Sequence, residues 1–273
     1  MQGMMTREGV NIFYRDDYFG EPWRRDEAQT VVLVHGIGES SDVWYAWMHG
    51  LTDRYRVIRL DLPGHGRSTL PAETPYDWTP ERLAADLAQF VDALGLRRFH
   101  LVGAKYGGSI VVRYAAEHGE RLTSLSVVSG PVQVAGTAGA DTVLQSLARV
   151  QSAGLRTWVE ESMDSRLGRD IPAGQRRWWT DLMASTDKRT ICACLDAFAR
   201  INLRAELARI RVPTRFVTTR GNALMALDAF QAWAADLPDS GLTVLEADTY
   251  HPAATHPREA MEAVRRHIAA TAG

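Results

Sequence analysis

The sequence predicts an α/β protein with a doubly wound, mostly parallel β-sheet and a helical segment inserted near its middle. Over the first 130 residues, short runs of β-branched and aliphatic residues alternate with stretches of helical periodicity. The alternation stops over residues 131–207 and resumes from residue 208. Strands that alternate with helices are typical of a parallel sheet covered on both faces.

Each element of the first half follows from a local signal. A short helix is predicted over Ser41–Leu51. Thr79 followed by Pro80 is typical of a helix start, Gly95 is typical of the end of that helix, and a further helix is predicted from Gly108 to Glu117. The predicted strands are Val31–Val34, Tyr55–Leu60, Phe99–Val102 and Leu125–Val128.

The second half adds helices and then two more strands. Four helices are predicted over Thr142–Ala153, Arg156–Arg166, Gly174–Ser185 and Arg189–Ala199. Two strands are predicted over Pro213–Thr219 and Leu242–Leu245. We therefore expect a core of residues 1–130 and 208–273 and a helical lid of residues 131–207. The tryptophans of this lid are expected to pack on the core, with one or two lining an apolar pocket.

The amino-acid composition narrows the range of possible functions. Of the 273 residues, 45% are hydrophobic and 23% charged, which is typical of a globular protein. The 31 basic and 33 acidic residues give a net charge of -2 with no basic block, so no nucleic-acid partner is expected. No apolar run reaches spanning length, and residues 1–17 lack the apolar core of a signal peptide. We expect a cytoplasmic protein with no membrane partner and a small-molecule substrate.

Cofactor motifs are missing from the sequence. Cys192 and Cys194 are two residues apart on a predicted helix, so they face different directions and favour neither a disulfide nor a metal pair. No dinucleotide fingerprint, P-loop or metal-ligand cluster is visible. We expect no cofactor and no metal, and the sequence does not indicate an oligomeric state.

One motif is unusual. The predicted strand ending at Val102 leads into Gly103-Ala104-Lys105-Tyr106-Gly107 and then a helix, which is the layout of a nucleophile elbow, G-x-S-x-G, with lysine in place of serine. Glycines at these positions leave room for the sharp turn. Two alternatives are a catalytically silent protein that kept the scaffold and a lysine that points to solvent. The cost of a cation on a pocket floor disfavours the second alternative.

Three segments match one family in pattern and spacing: Val34–Gly38, Asp61–Ser68 and Leu101–Gly108. On these segments the chain resembles the α/β-hydrolase superfamily over nearly its whole length. The resemblance is closest to the lidded branch that contains enol-lactonases and meta-cleavage-product hydrolases. It implies an α/β-hydrolase fold, and it indicates the substrate only weakly.

The resemblance also implies roles for single residues. The backbone N–H groups of Ile37 and Tyr106 correspond to the oxyanion-hole donors. His251, after the last predicted strand, corresponds to the catalytic histidine, with a purely structural histidine as the alternative. Asn222 stands where the family places its aspartate, and its amide oxygen would orient the His251 ring without supplying charge. The complete Ser-His-Asp triad is therefore absent.

The lysine limits the chemistry. The N-terminus of the helix after Lys105, the neighbouring N–H groups and burial all oppose protonation, so we expect a depressed pKa for this amine. Ester cleavage through an acyl-lysine is disfavoured because the intermediate is an amide. Two routes remain: a Schiff base with a ketone or aldehyde, or noncovalent acid, base or anchoring action with His251 moving a proton. We expect an enzyme acting on a small carbonyl compound by hydrolysis or lyase-type cleavage, and the alternative is a silent protein that binds an anionic or carbonyl ligand.

Overall fold

A computed structural model describes residues 2–7, 10–70 and 76–271 of the chain. Its described strands form one eight-stranded sheet with the order β1-β2-β4-β3-β5-β6-β7-β8. At one edge of the sheet, β1 is antiparallel to β2 and β2 is antiparallel to β4, and all pairs from β4 to β8 are parallel. The strands are β1 (Gln2–Arg7), β2 (Val10–Asp17), β3 (Thr30–Val34), β4 (Arg56–Leu60), β5 (Phe99–Ala104), β6 (Leu122–Val128), β7 (Thr214–Thr219) and β8 (Ser240–Leu245).

Helices cover the sheet and confirm the predicted fold class. The α-helices are α1 (Met48–Leu51), α2 (Pro80–Ala93), α3 (Tyr106–His118), α4 (Ala138–Ala153), α5 (Leu155–Leu167), α6 (Ala173–Ala184), α7 (Lys188–Ala199), α8 (Leu227–Ala235), α9 (Pro252–Thr255) and α10 (Pro257–Thr271). Helix α3 packs on β5 and β6, and α10 packs on β6 and β7. The central strands are buried on both faces, which explains why β3 and β5 contain continuous apolar runs. Within the part of the chain described above, no helix has the length and apolar character that a membrane crossing requires.

The predicted helix over Ser41–Leu51 differs in type. Ser41–Trp47 is a 3-10 helix, and only the last turn, α1, is α-helical. In a 3-10 helix, residues three apart are eclipsed, so Trp44 and Trp47 face the core together. Both indoles are fully buried and their ring centroids are 4.9 Å apart. These two tryptophans belong to the core and not to a ligand site.

The antiparallel edge formed by β1 and β2 was not predicted. Asp16 of β2 is buried and binds Arg56 at the start of β4, with Nη2 to Oδ2 at 2.9 Å. Arg25, from the connection that follows, binds the same carboxylate at 2.6 Å. Because these residues are charged, β2 lacks the continuous apolar run by which the buried strands were predicted.

Helices α4 to α7 lie between β6 and β7 in the chain order, and we refer to them as the helical insertion. Trp158 and Trp179 of this insertion are buried, whereas Trp178 is 38% exposed. Its sequence limits of 131–207 and its action as a lid stay predictions.

Candidate active site

The centre of the site is the turn from β5 into α3. Lys105 lies between the two elements with φ of 58° and ψ of -122°, a left-handed conformation that costs an ordinary residue about 1–3 kcal/mol. A Cβ on Gly107 would collide with the Val34 carbonyl oxygen of β3, and one on Gly103 would collide with the Gly107 carbonyl oxygen. The sequence therefore places glycine where the elbow leaves no space for a side chain.

The Lys105 side chain is buried. It is 6% exposed, its Nζ donates to the Tyr250 carbonyl oxygen at 3.3 Å, and the same Nζ lies 3.3 Å from the centroid of the Tyr250 ring. Burial and, to a smaller extent, the Arg166 charge lower the pKa of Lys105 well below its usual range, while Glu39 opposes the shift. No carboxylate within the described ranges forms an ion pair with it. This environment favours the uncharged amine.

Glu39 and His251 form a second buried group. His251 Nε2 donates to Glu39 Oε1 at 2.8 Å, and the Gly36 N–H donates to Glu39 Oε2 at 3.0 Å. Burial alone would raise the pKa of Glu39, but His251, Arg166 and His35 outweigh burial and lower it to about 2. Burial lowers the pKa of His251. The pair is therefore an ionised carboxylate that accepts a hydrogen bond from a neutral imidazole.

The expectation for Asn222 was wrong. Its Oδ1 accepts the N–H groups of Leu224 and Met225 at 3.0 and 3.1 Å, and its Nδ2 donates to Thr218 Oγ1 at 3.2 Å. Asparagine often holds a turn in this way by bonding the backbone two residues ahead. The buried Nδ1 of His251 has no hydrogen-bond partner. The imidazole is thus oriented from the Nε2 side, by Glu39.

These groups surround a cavity of about 160 Å³. The backbone N–H groups of Ile37 and Tyr106, both at the cavity, donate to no acceptor within the parts of the chain that the structure describes. His251 is not among the lining residues, although Glu39, which it contacts, is. Most of the remaining lining surface is apolar. Val143, Trp158, Leu195 and Phe198 come from the helical insertion, and Leu224 follows β7; the insertion also contributes the hydroxyl groups of Thr142, Ser146, Ser162 and Ser165.

Two residues of the site were missed in the sequence. Glu39 directly follows the His35–Gly38 turn, and an acidic residue there, next to the buried end of β3, was the available signal. Arg166 lines the cavity from α5 and is 6% exposed. It lies on the same helical face as Val159 and Met163, and an arginine within an apolar stripe was its signal.

No metal centre accompanies this group of residues. Within residues 2–7, 10–70 and 76–271, no cluster of three or more His, Cys, Asp or Glu side chains could hold a metal ion. Cys192 is half-buried, Cys194 is buried, and both are free thiols.

Comparison with known proteins places the fold in a family. The sequence profile described as alpha/beta hydrolase fold matches residues 29–254. The chain is 29% identical over 256 residues to a pimeloyl-[acyl-carrier protein] methyl ester esterase of Aeromonas hydrophila, covering 90% of this chain and 97% of that protein. It is also 29% identical over 260 residues to the non-heme chloroperoxidase CPO-A1 of Kitasatospora aureofaciens, covering 90% of each.

Solved structures agree with this placement. The enol-lactonase of Burkholderia xenovorans LB400 superposes with a TM-score of 0.87 at 21% identity, covering 98% of this chain and all of that one. A bromoperoxidase of Bacillus anthracis superposes equally well, with a TM-score of 0.87 at 21% identity and 98% coverage of this chain. At this identity the likeness shows the fold alone. Because the family profile covers most of its length, this chain belongs to the α/β-hydrolase fold family.

Proposed function

We propose that the protein is an enzyme that acts on a small carbonyl compound, with Lys105 as the nucleophile and the Glu39–His251 pair as its acid and base. The observation that carries the proposal is a buried lysine amine without a carboxylate partner, in the same cavity as two unpaired backbone N–H groups. Only an uncharged amine attacks a carbonyl carbon, and burial favours that form.

The reaction follows from these groups. The Lys105 amine adds to the carbonyl carbon, and the Ile37 and Tyr106 N–H groups stabilise the negative charge that develops on oxygen. The oxygen takes up protons and leaves as water, which gives an iminium ion. The electron pair of the bond between the α- and β-carbons then moves into the iminium group, so that the bond breaks and an enamine forms on Lys105. The fragment beyond the bond departs as carbon dioxide if it is a carboxylate, or as an aldehyde or ketone if it carries a hydroxyl group that loses its proton to His251. After a proton is added to carbon, water hydrolyses the imine, releases the carbonyl product and restores the amine.

Proton transfer is assigned to Glu39 and His251. The neutral His251 imidazole has its proton on Nε2 and keeps a lone pair on Nδ1, which can take the proton that the attacking amine loses. His251 then returns this proton to the departing oxygen, and the Glu39 carboxylate, which is ionised because its pKa is lowered to about 2, stabilises the imidazolium ion between the two steps. The Gly36 N–H fixes the second oxygen.

The helical insertion acts in this proposal as a lid. Its apolar residues exclude water from the iminium ion, which would otherwise be hydrolysed before the bond breaks. The resemblance to enol-lactonases and meta-cleavage-product hydrolases supports a compact carbonyl substrate. A cytoplasmic location stays part of the proposal.

Hydrolysis is the second candidate function. It is favoured by one observation, the Glu39–His251 pair, because an imidazole bonded to an ionised carboxylate can take a proton from water. In that case Lys105 acts without a covalent bond to the substrate. The methyl ester esterase activity named for the Aeromonas hydrophila relative agrees with this candidate.

Reductive trapping distinguishes the covalent reaction through Lys105 from noncovalent hydrolysis. Wild type is incubated with a panel of aliphatic and aromatic ketones and aldehydes, reduced with borohydride and digested, and the peptides are measured by mass spectrometry. The chain has two lysines, Lys105 and the exposed Lys188, so Lys188 is an internal control. The proposal predicts an adduct on Lys105 alone. Turnover of a carbonyl substrate without an adduct supports noncovalent hydrolysis, and binding without turnover or an adduct supports a silent ligand-binding protein.

A further inference from the structure

Arg166 is a second buried cation at the cavity. It is 6% exposed, its Nε is buried without a hydrogen-bond partner, and it lines the cavity together with Lys105. No carboxylate from the described ranges lies within ion-pair distance of its guanidinium. The nearest acidic group at the site, Glu39, is already bonded to His251 and to the Gly36 N–H.

A buried guanidinium without an ion-pair partner is stabilised when an anion binds to it. Arginine stays protonated in proteins, and a buried charge without a partner costs several kcal/mol. Its planar fork of N–H donors matches the two oxygens of a carboxylate. The Ser162 and Ser165 hydroxyls beside it on α5 donate to helix carbonyls at 2.9 and 3.1 Å.

The surrounding rings hold the guanidinium in place. Its Cζ lies 5.4 Å from the Tyr250 ring centroid and 5.9 Å from that of Trp158. The Tyr250 ring also contacts the Lys105 Nζ at 3.3 Å. One aromatic ring therefore adjoins both nitrogen groups, and a single small molecule can reach the amine and the guanidinium.

We propose that Arg166 binds the carboxylate of the substrate, which makes the substrate class an oxo acid, a compound with both a ketone or aldehyde and a carboxylate. This inference rests on the proposed function for the carbonyl group and adds the anionic group. The arginine neutralises the carboxylate, while Lys105 reacts at the carbonyl. The apolar lining of the cavity takes up the remainder of the molecule.

Binding of matched ligands tests the assignment. Phenylpyruvate is compared with phenylacetone, and levulinate with 2-pentanone, because in each pair a methyl group replaces the carboxylate. Affinities are measured by calorimetry for wild type, Arg166→Gln and Arg169→Gln. Arg169 is the matched control because it lies three residues away, and its side chain is 87% exposed. Both substitutions remove one positive charge, but only the first changes the cavity.

We expect at least one oxo acid to bind wild type about 10- to 100-fold more tightly than its neutral counterpart. Arg166→Gln should abolish this preference and Arg169→Gln should retain it. Equal affinity within both pairs, failure of both oxo acids to bind at millimolar concentration, or a preference that survives Arg166→Gln would overturn the proposal. Arg166→Met is the second variant if Arg166→Gln does not fold, and loss of folding in both would assign Arg166 a structural role.

Trapping distinguishes this inference from the proposed function. If binding depends on Arg166 and borohydride gives no Lys105 adduct, the carboxylate site stands and the covalent mechanism fails. If an adduct forms equally well from oxo acids and neutral ketones in Arg166→Gln, the covalent mechanism stands and the carboxylate site fails.

Discussion

Lys105 combines a strained backbone with a buried, unpaired amine. Its positive φ of 58° is set by the β5–α3 turn, and its burial lowers the pKa. The elbow therefore places a buried amine at the cavity, in surroundings that favour its uncharged form. A serine at the same place would need a base to remove its proton, whereas this amine loses its proton through its surroundings.

Replacing Lys105 changes stability in a pH-dependent way. Its folded-state pKa is below its unfolded value, so the unfolded chain binds more protons between the two values and the stability of wild type rises with pH there. We expect Lys105→Met to be more stable than wild type by about 1–3 kcal/mol at pH 7, with the gain vanishing above pH ~10.5. Urea unfolding at pH 7 and pH 11 measures this, with the exposed Lys188→Met as control. A gain that does not depend on pH would contradict it.

Glu39 is the residue that gives the histidine its orientation. Glu39→Gln keeps a hydrogen-bonding side chain but removes the ionised oxygen that faces His251 Nε2. We expect adduct formation on Lys105 to slow by about 100-fold, within the range for general acid–base catalysis. The exposed Glu246→Gln is the control. The rate of adduct formation is measured by borohydride trapping at short reaction times. If Glu39→Gln forms the adduct as fast as wild type does, the carboxylate has no part in the mechanism.

At the scale of elements, the close approach of α3 to β3 fixes the elbow. Gly107→Ala places a methyl group against the Val34 carbonyl oxygen, and we expect a loss of about 1–3 kcal/mol in unfolding free energy. Gly119→Ala is the control, since no atom lies within 4 Å of its Cβ position and its φ is -58°. Chemical denaturation of both variants tests this, and equal stability would mean that α3 moves away at little cost.

Strand β2, next to the edge strand β1, is bound to β4 by an ion pair of Asp16. Burial alone would raise the pKa of Asp16, but Arg56 and Arg25 outweigh burial and lower it. This stabilisation is present above the unfolded pKa of about 3.9 and is lost as pH falls through the folded pKa. We expect Asp16→Asn to lose about 1–3 kcal/mol at pH 7 and much less near pH 2. Urea unfolding of wild type and Asp16→Asn at both pH values measures this loss of unfolding free energy. A loss of equal size at pH 7 and pH 2 would exclude an electrostatic origin.

At the scale of the whole molecule, the cavity draws on segments far apart in the chain. Glu39 follows β3, Lys105 precedes α3, Arg166 comes from the helical insertion, and His251 follows β8. Because β3 and β5 are parallel neighbours, their carboxyl ends lie together at the carboxyl-terminal edge of the sheet. Residues of the insertion, among them Trp158 and Arg166, line the cavity at that edge.

This arrangement explains what the sequence could predict. Lys105 and His251 were proposed as site residues because each follows a strand with a recognisable motif, and the buried strands were predicted correctly because their apolar runs are continuous. Strands β1 and β2 were missed, and β2 ends in Tyr14–Asp17, where charged residues replace the apolar run.

The contacts of the site were harder to predict than its residues. Glu39 meets His251 across 212 positions of sequence, and no local pattern encodes such a contact. Asn222 was misassigned because a residue that bonds its own turn and one that orients a histidine look the same in sequence.

The central claim is that Lys105 carries an uncharged amine in the cavity at neutral pH. Isotope-labelled lysine gives two side-chain signals, from Lys105 and Lys188, and NMR follows both through a pH titration. We predict that the Lys105 signal, assigned by its absence in Lys105→Met, titrates well below pH 10.5 and that Lys188 serves as the reference. A Lys105 midpoint equal to that of an ordinary lysine would contradict the account.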